Sequence, residues 1–475
     1  MAEFDLAVIG AGAAGLSVTA IAAQLGLRVA LIERGRMGGD CLNAGCVPSK
    51  ALLAAAHAAM DGRAAGRFGL RIAVPEIAWE AVQAHVRGVI ATIAPIDSAA
   101  RFTALGATVL HGEARFVAHD TLEVSLLDGP RRLTARRIVI AAGSRAVLPP
   151  IAGLDAVPHI TNEGLFDLPE RPTHLVVLGG GPIGLEMAQA YAGLGCRVTV
   201  VEADHIAGRE DSELADGLRA ALAGNGIEVL EGVPVVRVES GPLLVLQDGR
   251  RIEGSHLLVA AGRRPNIEDL GLEAGGVRAG PGGIATDAGL RSPSNPRVFA
   301  VGDIADPRGI GPRAFTHVGS YHAGIVIRRA LFHLPARVDY AALPRVIYTD
   351  PELAQVGLTE VEARAAGHDI RVLRWPLAEN DRAQAERRPE GLVKLVTTRR
   401  GWLLGAGILA PHAGEMIGMW TLAIAQRTSL SVLAGLIVPY PTLAEAGKRA
   451  AGSFFMDRLF APTTKRLVRL LTWLP

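Results

Sequence analysis

A chain of 475 residues is long enough for about two to four domains, and with 49% of its residues apolar it can bury large cores. A formal charge of +2 gives no electrostatic case for nucleic acid or an acidic partner. Three cysteines fit a reducing compartment and exclude a disulfide-stapled scaffold.

The N-terminus, MAEFDLAVIGAG, enters a strand at once. It shows no basic n-region and no apolar h-region, and no apolar run in the chain reaches a membrane-spanning length. A soluble cytoplasmic protein is expected. The glycines of GAGAAG are Gly10, Gly12 and Gly15, set between an apolar strand and an alanine-rich helix. The next strand, RVALIE, ends at Glu33. Together these make a dinucleotide fingerprint. Gly10 permits the tight turn, Gly12 admits a pyrophosphate close to the backbone, and Gly15 lets helix pack on strand. The helix N-terminus faces the phosphates, and Glu33 is placed for the ribose hydroxyls.

GGDCLNAGCVPSK follows, from Gly38 to Lys50, with Cys41 and Cys46. Zinc would want further Cys or His nearby, and none lie there. A redox pair or an accident of sequence remains. The fingerprint then repeats in HLVVLGGGPIGLEMAQAYAGLGCRVTVVE, with Gly179, Gly181, Gly184 and an acid at Glu202. Two such sites on one chain imply hydride transfer between two cofactors. Glu202 suits a free 2′-hydroxyl and so NADH over NADPH, although Arg209 lies close in sequence. IVIAAGSR and LLVAAGRRPN each read as a buried strand and a glycine turn, at Gly143 and Gly262. Asp303, in VFAVGDIAD, is placed to accept from a cofactor hydroxyl. A helix opens near Thr316, its positive end available to negative charge on a reduced ring. From about Leu343 the texture becomes α+β without a glycine fingerprint, as for an oligomerisation module. Cys196 reads as a small buried hydrophobe.

GAGAAG, GGDCLNAGCVPSK, GGGPIGLE, AAGRRPN, VFAVGD and YTDPELAQVGLTE together make the chain resemble the flavin-dependent pyridine nucleotide–disulfide oxidoreductases over nearly its full length. That family includes dihydrolipoamide dehydrogenase, glutathione reductase and mercuric reductase. Ala142 and Ala261 replace threonines usual in its ATG turns. The resemblance implies an α/β fold with two Rossmann-like domains, for FAD and NAD(P), and a C-terminal α+β dimerisation domain. The expected division is an FAD-binding domain at 1–150 that returns at 276–340, an NAD(P)-binding domain at 151–275, a dimerisation domain at 341–460, and a basic amphipathic tail at 461–475. The resemblance also implies a homodimer. It makes Cys46 the thiol beside the flavin and Cys41 the interchange thiol, freed as a thiolate to attack the acceptor. Lys50 and Glu186 match its ion pair beside the flavin.

One departure bears on the acceptor. Thiol–disulfide reductases of the family carry a histidine in HPTxxE, supplied by the other subunit, that shuttles the proton of the interchange thiol. Here the stretch is YPTLAE, with Tyr440 in the histidine's place and Glu445 retained. A tyrosine, with an ordinary pKa near 10, is a poor base at neutral pH, and a positioned acid–base group contributes roughly a hundred- to ten-thousand-fold. Mercuric reductases also carry tyrosine there, but they add a C-terminal cysteine pair, and this chain has no cysteine after Cys196. The expectation is a mercuric-reductase-like enzyme that reduces a thiol-reactive acceptor, whether a Hg(II)-like metal ion, a small disulfide or a protein. Dihydrolipoamide dehydrogenase is the alternative, and a flavin-binding redox sensor is one from another class. His317 and His412, the nearest substitute bases, read as structural. The tail places Lys465, Arg466 and Arg469 among leucines, a pattern compatible with an anionic membrane surface or with packing across a dimer.

Overall fold

The computed structural model describes residues 2–474. It opens with β1 (Phe4–Ile9), α1 (Ala13–Gln24) and β2 (Val29–Glu33). A short α2 (Gly39–Asn43) and the long α3 (Cys46–Ala64) follow. The parallel core of the first sheet runs Ala107–His111, β2, β1, the end of Gly129–Ile140, and Val298–Ala300. Its last strand comes from far along the chain, so the intervening second sheet is an insertion. The strands are short continuous apolar runs because they are buried in one core with α1 and with Phe116, Leu122 and Val124 of the antiparallel strands Glu113–Ala118 and Thr121–Leu126.

The second sheet is also parallel. β3 (His174–Leu178) lies between β4 (Arg197–Val201) and His256–Val259, and Glu228–Leu230 extends the β4 edge. Between β3 and β4 runs α4 (Pro182–Gly193). The two βαβ units share one steric device. Gly10 has φ +104°, and a Cβ there would lie 2.4 Å from the Ala141 carbonyl oxygen; Gly179 has φ +120° and a Cβ would lie 2.5 Å from that of Ala260. A Cβ on Gly15 would sit 1.9 Å from the Gly10 oxygen, and one on Gly184 2.0 Å from the Gly179 oxygen. Only glycine permits helix and strand to approach this closely.

Helix α3 spans two units. Its inner face, with Leu52, Leu53 and Ala56 buried, joins the core of the second sheet rather than the first. Gly193 of α4 lies so close that a Cβ would meet the Ala56 side chain at 3.1 Å. The helix that starts at Cys46 is thus anchored on the inserted second-sheet unit. Helix α5 (Thr316–Ala330) packs on α1, with Gly319 against Ala14. The C-terminal unit is a five-stranded antiparallel sheet in the order Pro344–Ile347, Glu352–Gly357, Leu403–Ala410, Leu392–Thr398, Ile370–Pro376. Helices Ala413–Ala425 and Glu445–Ser453 cover it around the buried Trp420. The chain ends in α6 (Pro462–Leu471). The architecture is the expected α/β one with a separate C-terminal α+β unit.

Candidate active site

Two helix N-termini converge on Cys46. It is the first residue of α3, and its Sγ lies 3.2 Å from Oγ1 of Thr316, the first residue of α5 and 270 positions away. Neither helix has a side-chain N-cap, so their first-turn N–H groups lend positive potential to the sulfur. The Cys46 thiol is pushed down to about 6, first by a hydrogen bond from Cys41 and then by the Thr316 hydroxyl and the Lys50 charge, against burial and Glu186. Cys41, half-buried in α2, is held well above the ordinary thiol range by the same bond and by burial. Both cysteines are free thiols in this structure. The reduced pair therefore carries its negative charge on Cys46 and its proton on Cys41. The helix ends, Thr316 and Lys50 all favour charge on Cys46.

Lys50, one turn further along α3, donates to Glu186 Oε2 at 2.7 Å. The other Glu186 oxygen accepts the Tyr348 N–H at 3.1 Å, and the Lys50 ammonium lies 4.3 Å from the centre of the Tyr348 ring. Glu186 is 5% exposed and satisfied on both oxygens. The group joins α3, α4 and the C-terminal sheet at one point. Lys50 and Glu186 form the expected pair.

A second polar chain starts at Asp303. Ser144 donates to its Oδ2 at 2.6 Å, and Arg263 donates to the Ser144 hydroxyl and carbonyl, each at 2.8 Å. The same guanidinium meets Asp40, the neighbour of Cys41, at 3.0 Å. Asn162 donates to Asp40 at 2.8 Å and to the Ala44 carbonyl at 3.1 Å, closing the cysteine loop from the other side. Burial raises the Asp303 carboxyl, opposed by Ser144 and Arg263. The Gly302–Asp303 turn is pinned by the Gly302 N–H, which donates to Nδ1 of fully buried His322 at 3.0 Å. His322 Nε2 lies 2.7 Å from the Tyr340 hydroxyl, and burial brings its pKa down to about 4, so it stays neutral. Sequence reasoning found Asp303 but missed Asp40, Ser144, Arg263, Asn162 and His322. The first and third were visible in GGDCLNAGC and AAGRRPN, but no spacing said that they meet.

The glycine turns fit dinucleotides. The N-caps of α1 and α4 are Gly12 and Gly181, without side-chain acceptors and with no acid in the first turn. Their free N–H groups suit a pyrophosphate. Glu33 accepts the Ala11 and Gly35 N–H groups at 2.6 Å each. Glu202 accepts those of Gly180 at 2.6 Å and Asp204 at 3.0 Å. The acids expected to take ribose thus also brace their own loops, and a carboxylate has lone pairs for both tasks. Gly143 and Gly262 adopt positive φ in the turns after their strands.

The C-terminal residues are arranged differently from expectation. Tyr440 is 67% exposed and its hydroxyl donates to Asp381 Oδ2 at 2.7 Å. Glu445 instead binds Arg449, one turn along its own helix, at 2.7 Å. The Asp381 carboxylate raises the Tyr440 pKa further, so the side chain stays a phenol. Asp381, missed as a site residue, is the acid that the Tyr440 hydroxyl meets. Neither Tyr440 nor Glu445 bonds to the cysteine loop of its own chain among the described residues. His317 Nε2–H donates to the Pro344 carbonyl at 3.1 Å, and burial lowers its pKa. His412 caps the helix Ala413–Ala425 in a left-handed conformation. Both have structural positions.

The comparisons agree with this arrangement. The pyridine nucleotide-disulphide oxidoreductase family matches residues 4–325, and its dimerisation domain matches residues 343–451. A mercuric reductase of Streptomyces lividans is 38% identical, covering 96% of this chain and 97% of that protein. A dihydrolipoyl dehydrogenase of Geobacillus stearothermophilus is 34% identical, covering 94% and 96%. Among solved structures, the HOCl-induced flavoprotein disulfide reductase RclA of Escherichia coli, as a Cu(II) complex, aligns with a TM-score of 0.84 at 26% identity, over 95% of this chain and all (100%) of that one. LpdA of Mycobacterium tuberculosis aligns with a TM-score of 0.85 at 27% identity, over 94% and 99%. Relatives of this kind use FAD and NAD(P)H and act on sulfur groups or metal ions. With both domains matched, two glycine cradles and a thiol pair between them, the chain belongs to the pyridine nucleotide-disulphide oxidoreductase family.

Proposed function

We propose that this enzyme oxidises NADH and reduces a soft, thiol-reactive metal ion of the Hg(II) class through Cys41 and Cys46. The reading rests on one observation above others: Tyr440, in the place of a proton-shuttling histidine, is a phenol whose hydroxyl is committed to Asp381. FAD, when bound at the first cradle, supplies the two-electron relay between the nicotinamide and sulfur.

The chain's own residues do the rest. Gly10, Gly12, Gly15, Glu33 and Asp303 would hold the flavin nucleotide, and Gly179, Gly181, Gly184 and Glu202 the nicotinamide nucleotide. Glu202 repels a 2′-phosphate, which favours NADH. Thr316 and Lys50 keep Cys46 ionised at neutral pH, and the Cys46 thiolate holds the Cys41 proton. Capture of Hg(II) by both sulfurs releases that proton to solvent, and the bis-thiolate site satisfies a soft ion without a shuttle. A disulfide acceptor asks more. Cys41 must lose its proton before it attacks, and the expelled thiolate must gain one, with no base of suitable pKa at Tyr440. RclA, a flavoprotein disulfide reductase with the same fold, was solved as a Cu(II) complex.

The dihydrolipoamide dehydrogenase reading draws on the Geobacillus relative and on retained Glu445. Anaerobic NADH consumption separates the two. Thiol-complexed Hg(II) and lipoamide are offered in parallel to the wild type and to Cys41→Ser. Turnover with Hg(II) that disappears in Cys41→Ser, with lipoamide idle, is the expected result. Rapid lipoamide turnover refutes the argument from Tyr440.

A further inference from the structure

We propose that the C-terminal segment 456–474 docks the enzyme on an anionic membrane surface. The segment lies outside the catalytic fold, since the dimerisation-domain match ends at residue 451. Helix α6 has no buried residue. At 3.6 residues per turn, Leu467, Leu470 and Leu471 share one face, Lys465 and Arg469 lie on the opposite one, and Arg466 flanks the apolar face beside Leu470. The apolar side continues in both directions, to Leu459 and Phe460 before the helix and to Trp473, 88% exposed, after it.

The charges point to the occupant. Residues 458–474 carry four cations, Arg458, Lys465, Arg466 and Arg469, and no acid. The acids nearest α6 in sequence are committed elsewhere, Asp457 to Arg371 and Glu445 to Arg449. Lys465, Arg466 and Arg469 have no ion-pair partner among the described residues. A two-fold contact between two copies of α6 would set these cations against one another. A bilayer leaflet with anionic headgroups offers what the helix lacks: an apolar phase under one face and negative charge level with the other. Ten residues at 1.5 Å each reach about 15 Å, half the hydrocarbon thickness, so the helix lies in the interface. No described helix is long and apolar enough to cross a membrane. A dimer presents two such segments, so the second binds after the first at high local concentration.

The test floats the FAD-loaded enzyme with vesicles of phosphatidylcholine, alone or mixed with phosphatidylglycerol. Flotation with the anionic vesicles only, weakened by salt, is expected. The triple variant Lys465→Glu, Arg466→Glu, Arg469→Glu should lose affinity by on the order of 100-fold or more. Leu467→Ser with Leu471→Ser should also lose it. Flavin content and NADH consumption should not change in either variant. Absence of wild-type flotation, or equal flotation of the charge-reversed variant, overturns the proposal. So does dissociation of the dimer in either variant on size-exclusion chromatography, which would assign the apolar face to the subunit contact.

Discussion

The two glycine turns are built alike but anchored differently. Gly10 and Gly179, Gly15 and Gly184, Glu33 and Glu202 occupy matching positions in matching loops. Around the first turn, Ala14 packs against Gly302 and Gly319, next to Asp303 and the start of α5. The second turn opens α4, which carries Glu186 to Lys50 and packs Gly193 on Ala56. The cysteine pair sits where these neighbourhoods meet, with Cys46 against Thr316 from one side and α3 gripped by α4 from the other. A repeated local motif thus becomes two different sites through what its helix touches.

The largest expected effects break the two turns separately. Gly15→Val should yield protein that fails to retain flavin or to fold, because the nearest atom is backbone and cannot give way. Gly181→Val, where an added side chain meets no protein atom, should leave a yellow protein that NADH no longer reduces. Flavin absorbance after purification and its bleaching by NADH read both, and the same defect in both variants would contradict separate roles. Next comes the grip on α3. Lys50→Met leaves the buried Glu186 carboxylate with only the Tyr348 N–H. A loss of about 1–3 kcal/mol in chemical denaturation follows.

The third prediction sharpens the role of the α5 side. In the reduced enzyme the rate of Cys46 alkylation should rise through a midpoint of about 6. Thr316→Val removes a donor to the thiolate and moves that midpoint up. Because the folded thiol is depressed below its unfolded value, the stability this contributes is present above the unfolded pKa and is lost as pH falls through about 6. Denaturation of the reduced enzyme against pH checks the sign. A smaller change follows from Glu202→Ala, which removes a charge that repels a 2′-phosphate. The NADPH-to-NADH ratio of kcat/KM should rise about tenfold, while Glu33→Ala should leave that ratio unchanged. The smallest effect belongs to Asp381→Asn. It removes the cause that holds the Tyr440 phenol up, so the tyrosinate absorbance should appear at lower pH than in the wild type.

Much of the site was legible in the sequence because its parts are local. A turn that needs positive φ and a missing Cβ demands glycine wherever it occurs, so both cradles can be read from Gly10 and Gly179 without any fold. The thiols of Cys41 and Cys46 lie within one loop and one helix start. The resemblance to a family added the Lys50–Glu186 pair, 136 residues apart. What the tertiary structure decided is which of many polar side chains meet. Arg263 reaches Asp40 and Ser144, His322 pins Gly302, and Tyr440 finds Asp381 rather than Glu445. Such pairs join segments whose separation along the chain follows no period. They arise only when the sheets close and bring buried donors and acceptors to partners that replace water. The placement of charge within the cysteine pair was decided in the same way. Two thiols of equal intrinsic acidity, hydrogen-bonded to each other, are made unequal by helix ends, a hydroxyl and an ammonium, of which the α5 end and the Thr316 hydroxyl come from 270 positions away.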